Sequence, residues 1–393
     1  MDPDFSRLDA HLDDHDLDGY LVQADGETPT QRYLSGFTAP DPFTTLYTGD
    51  VHLLVSPLEY GRAKRTARAD TVQRGQEFDA KAKREEYGPV EGSRRVLAAF
   101  LDSHGVSSVG TPSDFPLGTA DGLRELGVEV TADELPGAND IVEYVRASKL
   151  PEEIEHVRAA QKANERSMAR AEELLREAEI DGDILVLDGE PLTSERVKTE
   201  IEIELLREGC ALDETIVAGG AQAADPHDRG SGPLPANEAI IVDIFPRSKE
   251  TGYYADMTRT FVKGEPSAKI DRWYDLTLEA QEAALDALEA GVTGSDVHGA
   301  VCDVYEEAGE PTLRSDPNAE TGFIHSTGHG VGLDIHEFPR VSEADNELEA
   351  GQIVTIEPGL YDPEVGGVRI EDIVVVTEDG YENLTDYEKT FRL

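Results

Sequence analysis

The sequence predicts two domains built from both helices and strands, an α/β domain followed by a larger α+β domain. The 393-residue length suits two domains at about 150 residues each. Short strand-like runs alternate with helical runs to about residue 145, and widely separated strand-like runs return in the remainder. The pattern changes at ASKLP, so we place the domains at 1–147 and 148–393.

The first domain opens with an amphipathic stretch. FSRLDAHLDDHDL predicts a helix, GYLVQA and VHLLVSP predict strands, and EGSRRVLAAFLDSHG predicts another helix that ends at Gly105. This half of the chain contains no cluster of His, Cys or paired acids that would indicate a catalytic site.

The second domain opens with a helix start at Pro151. Proline is tolerated in the first turn, and Glu152 and Glu153 complement the helix dipole there, which predicts a long helix to about Glu177. Cap residues and terminal glycines predict further helices at 193–208, 266–290 and 295–308. Between them, ETIVAGG, AIIVDIF, DMTRTFV, IVTIEPG and VRIEDIVVV predict strands.

The charge balance is strongly acidic, with 82 Asp and Glu against 35 Lys and Arg and a formal net charge of −47. Nucleic acid and anionic membranes are not expected as partners, because phosphate binding needs a basic surface. Self-repulsion on this scale favours a salty medium, where the Debye length falls to about 3 Å at 1 M. We therefore expect a halophilic protein from a salt-loaded cytoplasm, as in halophilic archaea. The alternative is an ordinary acidic cytosolic protein.

The N-terminal segment, the apolar stretches and the cysteines all bear on the cellular compartment. The N-terminal segment lacks the basic and apolar regions of a signal peptide, and no stretch approaches the about 18 to 20 apolar residues of a spanning helix. Cys210 and Cys302 are far apart and lack CxxC spacing, which favours reduced thiols. The sequence predicts a cytoplasmic protein.

Five ionisable residues of the second domain stand where the pattern favours apolar residues or glycine. They are Asp243 in AIIVDIF, Asp256 in DMTRTFV, His329 in HSTGHGVGL, Glu357 in IVTIEPG and Glu371 in VRIEDIVVV. The glycines around His329 predict a loop there. A single buried acid is most often a satisfied structural residue. Four carboxylates brought together need compensation, because like charges raise one another's pKa values, and two divalent cations would supply it.

Oxygen-rich ligation with one imidazole favours Mn2+, with Co2+ or Fe2+ as alternatives. Zn2+ ranks lower because its structural sites favour Cys and His. A two-metal site generates a nucleophile, here a hydroxide bridging the ions, and stabilises the oxyanion. The predicted chemistry is metal-assisted hydrolysis.

At these motifs the sequence resembles the pita-bread metallopeptidases, in particular the Xaa-Pro dipeptidases (prolidases) and Xaa-Pro aminopeptidases. The matching stretches are PEEIEHVRAA, TGHGVGL, IEPG and GVRIED, while GYLVQ and RYLSGF resemble the creatinase-type N-terminal domain more weakly. The resemblance implies an α+β fold, with a creatinase-type α/β N-terminal domain followed by a pita-bread catalytic domain. It also implies exopeptidase activity on peptides with proline at the second position, and a homodimer.

The resemblance also implies metal ligands. Asp243 would chelate one ion, and Asp256 with Glu371 would bridge the two. His329 and Glu357 would hold the second ion, and Glu357 would also act as general base.

Further residues receive roles by the same resemblance. His227 would contact the substrate or shuttle a proton, and His336 would bind the scissile carbonyl and support the oxyanion. His325 would line the substrate pocket, and Arg340 would hold the substrate carboxylate. Arg369 would take part in substrate binding or serve only as a counter-charge to the acids.

The sequence departs from the family pattern between the two aspartates. Asp243 and Asp256 are thirteen positions apart, more than is usual, and Ile244-Phe245-Pro246 stands where a glycine is usual. The two extra residues keep an even offset, so both acids are expected on one face of a hairpin with a longer PRSKETGYY tip.

Two alternatives remain on the same scaffold. One is a metal-free, creatinase-like amidinohydrolase, and the other is a non-catalytic binding protein. The complete set of five metal ligands argues against both. Methionine aminopeptidases share the catalytic domain but usually lack the large N-terminal domain.

Overall fold

The structure is a computed structural model that describes residues 3–393. The chain divides into an N-terminal unit that ends at Arg146 and a C-terminal unit, Ala147–Leu393. No helix among the described residues is long and apolar enough to cross a membrane. Cys210 and Cys302 are buried free thiols, as predicted.

A mixed sheet forms the centre of the N-terminal unit. Its strands are β1 Gly19–Ala24, β2 Phe43–Tyr47, β3 Val51–Val55, β4 Thr71–Arg74, β5 Ser108–Thr111 and β6 Glu129–Ala132, in the spatial order β4, β3, β2, β1, β5, β6. The helices are α1 Ser6–Asp14, α2 Pro29–Ser35, α3 Tyr60–Thr66, α4 Ala80–Tyr87, α5 Pro89–Ser103, α6 Leu117–Glu125 and α7 Ile141–Ala147. Helix α5 buries Phe100 against the sheet residues Leu21 and Leu46, so strands and helices share one core.

The helices of the C-terminal unit lie where the sequence predicts them. They are α8 Pro151–Glu177, α9 Ser194–Arg207, α10 Ala268–Asp286 and α11 Gly294–Glu307. Thr193, Ser267 and Thr293 are N-caps whose side chains accept hydrogen bonds from backbone N–H groups of the first turns. Helix α10 begins at Ala268 because Ser267 caps it, and it ends at Asp286, so it is shorter at both ends than the predicted 266–290.

The strands of the C-terminal unit form several small sheets. Their bounds are β7 Glu179–Asp181, β8 Ile184–Leu187, β9 Glu190–Pro191, β10 Cys210–Ala211, β11 Thr215–Gly219, β12 Ala239–Ile244, β13 Arg247–Ser248, β14 Met257–Val262, β15 Gly328–Gly330, β16 Glu337–Val341, β17 Ile353–Ile356, β18 Gly359–Asp362, β19 Gly366–Arg369, β20 Asp372–Thr377 and β21 Gly380–Asn383. Two sheets carry the site: β11, β12, β14 in one, and β16, β15, β17, β20, β21 in the other. Core residues of α8 and α9 pack behind the first sheet, and those of α10 and α11 behind the second.

The hairpin of β12 and β14 keeps one register along its whole length. Asp243 pairs with Thr258, and the bridge between Arg247 and Tyr254 near the tip has the same register. Asp256 lies two residues before Thr258, so both aspartates face the same side of the sheet, as predicted. The longer tip folds away through β13, which pairs with β10.

Two local predictions were wrong. VRIEDIVVV is not one strand, because β19 pairs with β18 and β20 pairs with β17, and the chain passes between the two sheets at Glu371. The apolar pattern runs through this crossing and does not reveal it. The Gly-rich segment at His329 is the short strand β15, predicted as a loop. A Cβ atom on Gly328 would lie 1.9 Å from the Thr355 carbonyl oxygen, so glycine allows the close approach.

Candidate metal centre and active site

The five predicted ligands line one cavity of about 840 Å3 in the C-terminal unit. They arrive from separate elements: Asp243 on β12, Asp256 just before β14, His329 on β15, Glu357 just after β17 and Glu371 between β19 and β20. One ligand atom each of Asp256, His329 and Glu371 lies within 4.8 Å of the others. A second cavity, of about 870 Å3 in the N-terminal unit, is lined by no histidine and no buried carboxylate among the described residues.

The carboxylates are buried and only half satisfied. Asp243 Oδ2 accepts from Arg369 Nη2 at 2.6 Å, and Glu371 Oε2 accepts from Thr258 Oγ1 at 2.8 Å. The other oxygens, Asp243 Oδ1, Asp256 Oδ1 and Glu371 Oε1, are buried without a hydrogen-bond partner. A buried, unpartnered carboxylate oxygen costs several kcal/mol unless a cation compensates it.

The imidazole of His329 is oriented toward these acids. Its Nδ1 donates to the Gly330 carbonyl at 3.1 Å, so the lone pair of the neutral ring lies on Nε2. Nε2 lies 3.3 Å from Glu357 Oε1 and 3.8 Å from Asp256 Oδ2. Burial lowers the pKa of His329 to about 3, which keeps the ring neutral. An acceptor nitrogen therefore faces acceptor oxygens, and a cation between them would satisfy both.

Three of the acids have raised pKa values. Burial raises the pKa of Asp256 and of Glu371 well above their ordinary values, and neighbouring carboxylates raise them further. Burial also raises the pKa of Glu357 to about 7. These directions are those expected where divalent cations replace protons, and the unpartnered oxygens and the Nε2 lone pair fit divalent cations.

Three predicted residues line the cavity around this cluster. His336 packs edge-on against His329, with ring centroids 4.3 Å apart. Arg340 pairs with His329 across β15 and β16, which places both side chains on the same face. His227 is exposed, and its backbone N–H donates to Asp225 Oδ1. All three line the cavity that holds the acids.

His325 and Arg369 belong to a hydrogen-bond chain that ends at Asp243. Nδ1 of His325 donates to the Ser326 carbonyl at 2.7 Å, and Nε2 accepts from the Tyr361 hydroxyl at 3.1 Å. Arg369 Nη1 donates to the same hydroxyl at 2.9 Å, while Nη2 contacts Asp243. The Arg369 side chain is 4% exposed, so its geometry favours the counter-charge interpretation over direct substrate contact.

Sequence reasoning did not single out the residues that support the ligands. Thr258 binds both Glu371 and Arg369, and it follows Asp256 by two positions, so strand periodicity could have indicated it. Thr355 accepts from the His329 N–H and donates to Glu357. Tyr361 has no comparable signal, because no repeat of its own strand relates it to a predicted ligand.

The comparisons with known proteins agree with this geometry. A family model described as metallopeptidase family M24 matches residues 155–378, more than half of the chain. The chain belongs to metallopeptidase family M24. A second model, the creatinase/prolidase N-terminal domain, matches residues 5–148. The M24 chain is thus a metalloexopeptidase with a creatinase-type N-terminal domain and a pita-bread catalytic domain, and the predicted family, fold class and enzyme class are confirmed.

Several relatives of this M24 peptidase match along nearly the whole chain. The Xaa-Pro dipeptidase of Pyrococcus horikoshii is 28% identical over 393 residues, 99% of this chain and 98% of the relative. The solved Xaa-Pro dipeptidase from Bacillus anthracis has a TM-score of 0.81 and 26% identity, with 99% of both chains covered. The X-Pro aminopeptidase from Thermotoga maritima has a TM-score of 0.75 and 25% identity, covering 96% of this chain and 98% of that structure.

Proposed function

We propose that this M24 peptidase hydrolyses Xaa-Pro bonds at a site made by the C-terminal domain, residues 148–393. The observation that carries the proposal is the set of buried, unpartnered carboxylate oxygens gathered with the neutral His329 around a cavity of about 840 Å3. The names of the similar proteins supply the substrate class.

We propose Asp243, Asp256, His329, Glu357 and Glu371 as ligands of two divalent ions. Oxygen-rich ligation favours Mn2+, with Co2+ or Fe2+ next and Zn2+ last. When bound, such ions activate water and polarise the scissile carbonyl.

The proposed proton acceptor is Glu357. Its carboxylate is half-buried and receives one hydrogen bond, from Thr355 at 3.2 Å, and in the metal-free protein burial raises its pKa to about 7. His336 at the cavity wall donates a hydrogen bond to the oxygen on which negative charge develops. His227, on the exposed rim, passes the proton to the leaving nitrogen.

The substrate carboxylate is assigned to Arg340. Arg340 lines the cavity and lies opposite His329 on the neighbouring strand. A cation there favours dipeptides, whose carboxylate lies one residue beyond the scissile bond. Proline is accepted because the site need not satisfy an N–H at the scissile nitrogen. His325, with both ring nitrogens engaged, contributes its ring surface to the proline pocket. We further propose a cytoplasmic homodimer, by analogy with the family.

The test is a substrate panel in high KCl. The purified protein is incubated with Mn2+, and separately with a chelator, against Xaa-Pro dipeptides, Xaa-Pro-Xaa tripeptides and creatine. Manganese-dependent cleavage of the Xaa-Pro dipeptides, lost with the chelator, is expected. Absence of peptide hydrolysis with every metal would refute the proposal, and creatine turnover without metal would favour the creatinase-like alternative.

A further inference from the structure

An aromatic side chain that the proposed chemistry does not use lies beside the metal ligands. Phe245 follows Asp243 by two positions and lines the same cavity. The register of the β12–β14 hairpin places Phe245 directly opposite Asp256.

The neighbouring strand completes a wall around Phe245. The pairing of β11 with β12 places Ile216 opposite Asp243, and by the same register Glu214 lies opposite Phe245. Arg229 forms an ion pair with Glu214, and its guanidinium carbon lies 5.7 Å from the centroid of the Phe245 ring. We call these four residues, Ile216, Phe245, Arg229 and Glu214, the aromatic wall.

The aromatic wall and Arg340 belong to different sheets that meet at the metal ligands. Phe245 adjoins Asp256 on the β11–β12–β14 sheet, whereas Arg340 adjoins His329 on the β15–β16 sheet. Where the sheets meet, His329 Nε2 lies 3.8 Å from Asp256 Oδ2. If Arg340 holds the carboxylate of a dipeptide and the ligands hold its scissile bond, the Xaa side chain extends toward the aromatic wall.

We propose that Phe245, supported by Ile216, forms the subsite for the Xaa side chain and selects Leu, Met or Phe over Gly. This inference rests on the proposed Xaa-Pro hydrolysis. Ile216 is buried and Phe245 half-buried, and both line the cavity, so together they offer apolar surface to a side chain bound there. Glu214 and Arg229 neutralise each other at the rim, which therefore offers no net charge to attract an ionic Xaa residue.

The expected magnitude follows from the size of the contact. An apolar contact of one or more methylenes is worth about 10- to 200-fold in kcat/KM discrimination. Phe245→Ala is expected to lower the ratio of kcat/KM for Leu-Pro over Gly-Pro by about tenfold or more, mainly by losing activity on Leu-Pro. Phe245→Leu keeps the apolar volume and is expected to stay within about threefold of the parent ratio.

The experiment measures this ratio for the parent, both Phe245 variants and Tyr381→Ala. Tyr381 is an aromatic residue on β21, 40% exposed and outside the cavity, so its removal is a matched control. A calorimetric Mn2+ titration of each variant checks that the adjacent Asp243 and Asp256 still bind the ion with the parent stoichiometry. Circular dichroism checks the fold.

The outcomes separate the two proposals. A parent that hydrolyses no Xaa-Pro dipeptide overturns both the proposed function and the subsite. An active parent whose ratio is unchanged by Phe245→Ala, with Mn2+ binding intact, overturns the subsite alone. The subsite is supported if the ratio of kcat/KM for Leu-Pro over Gly-Pro falls in Phe245→Ala but stays near the parent value in Phe245→Leu and in Tyr381→Ala.

Discussion

At the residue scale, two neighbouring aspartates are compensated in different ways. Asp243 has a built-in counter-charge, since its Oδ2 lies 2.6 Å from the buried Arg369 guanidinium. Asp256 has no such partner for Oδ1, and the pKa of Asp256 is raised by burial and by Glu371 and Asp243. The same substitution at the two positions should therefore have opposite effects on the stability of the metal-free protein.

The first prediction compares Asp256→Asn with Asp243→Asn. Both variants should lose Mn2+-dependent hydrolysis. Metal-free Asp256→Asn should be at least as stable as the parent at pH 8, because the amide removes a buried negative charge that the neighbouring acids repel. Each unit by which the Asp256 pKa is raised corresponds to about 1.4 kcal/mol in the free energy of unfolding. Asp243→Asn should be less stable, because it leaves Arg369 as a buried charge. Urea unfolding with chelator measures both, and equal shifts in the two variants would contradict the counter-charge assignment.

The second prediction concerns the pH dependence of metal affinity. Protons on Asp256, Glu357 and Glu371 must leave before a cation binds, and burial raises all three pKa values, that of Glu357 to about 7. His329 is already neutral because its pKa is lowered to about 3. Mn2+ affinity should thus rise by about tenfold or more from pH 5.5 to 7 and go on rising until the last of the three carboxyl groups has lost its proton. Isothermal titration calorimetry measures the affinity, and a constant value across this range would refute the raised pKa values.

At the element scale, short strands with close backbone contacts hold the ligands in place. Strand β15 consists of Gly328, His329 and Gly330, and it is crowded on both sides by neighbouring backbone. The loop before β16 is held by a buried ion pair, in which Lys149 Nζ lies 2.5 Å from Glu337 Oε1 with both side chains 1% exposed. His336 precedes Glu337 directly, so this pair also positions a proposed catalytic residue.

The third prediction contrasts two glycines. A Cβ atom at position 328 would meet the Thr355 carbonyl, so Gly328→Ala should displace His329, weaken Mn2+ binding and destabilise the fold by about 1–3 kcal/mol. Gly299, inside α11, has room for a Cβ atom. Gly299→Ala should therefore raise the free energy of unfolding by about 0.5–1 kcal/mol. Thermal unfolding and metal titration test both. Normal metal affinity in Gly328→Ala would show that β15 does not position His329.

The fourth prediction concerns the Lys149–Glu337 pair. Lys149→Met leaves a carboxylate buried without this cation and should cost about 3–5 kcal/mol in the free energy of unfolding. The double variant Lys149→Met with Glu337→Gln removes the charge as well and should recover part of the loss. Chemical denaturation of the three proteins measures the difference. No recovery in the double variant would contradict an electrostatic origin.

At the scale of the whole molecule, the formal net charge of −47 dominates the physical chemistry. Surface ion pairs are present, such as Arg170 with Glu200 and Arg314 with Glu306, but 35 basic residues cannot neutralise 82 acidic ones. The unpaired excess repels itself at low ionic strength, where the Debye length is about 30 Å at 0.01 M.

The fifth prediction follows from this repulsion. The melting temperature should rise between 0.01 M and molar KCl by several degrees, which corresponds to about 1 kcal/mol or more. Differential scanning calorimetry measures the change, and an equally concentrated sucrose series distinguishes charge screening from general solvent exclusion. A melting temperature that is flat or falling with KCl would refute the proposed adaptation to salt.

The sequence by itself determined the four long helices of the C-terminal unit, the types and order of the ionisable residues, and the common face of Asp243 and Asp256. These features follow from local periodicity, cap residues and the two-residue repeat of strands. Only the tertiary structure decided that Glu371 lies at a crossing between two sheets and that Arg369 pairs with Asp243. Such contacts join segments far apart in the chain, and local patterns carry no information about which strands become neighbours.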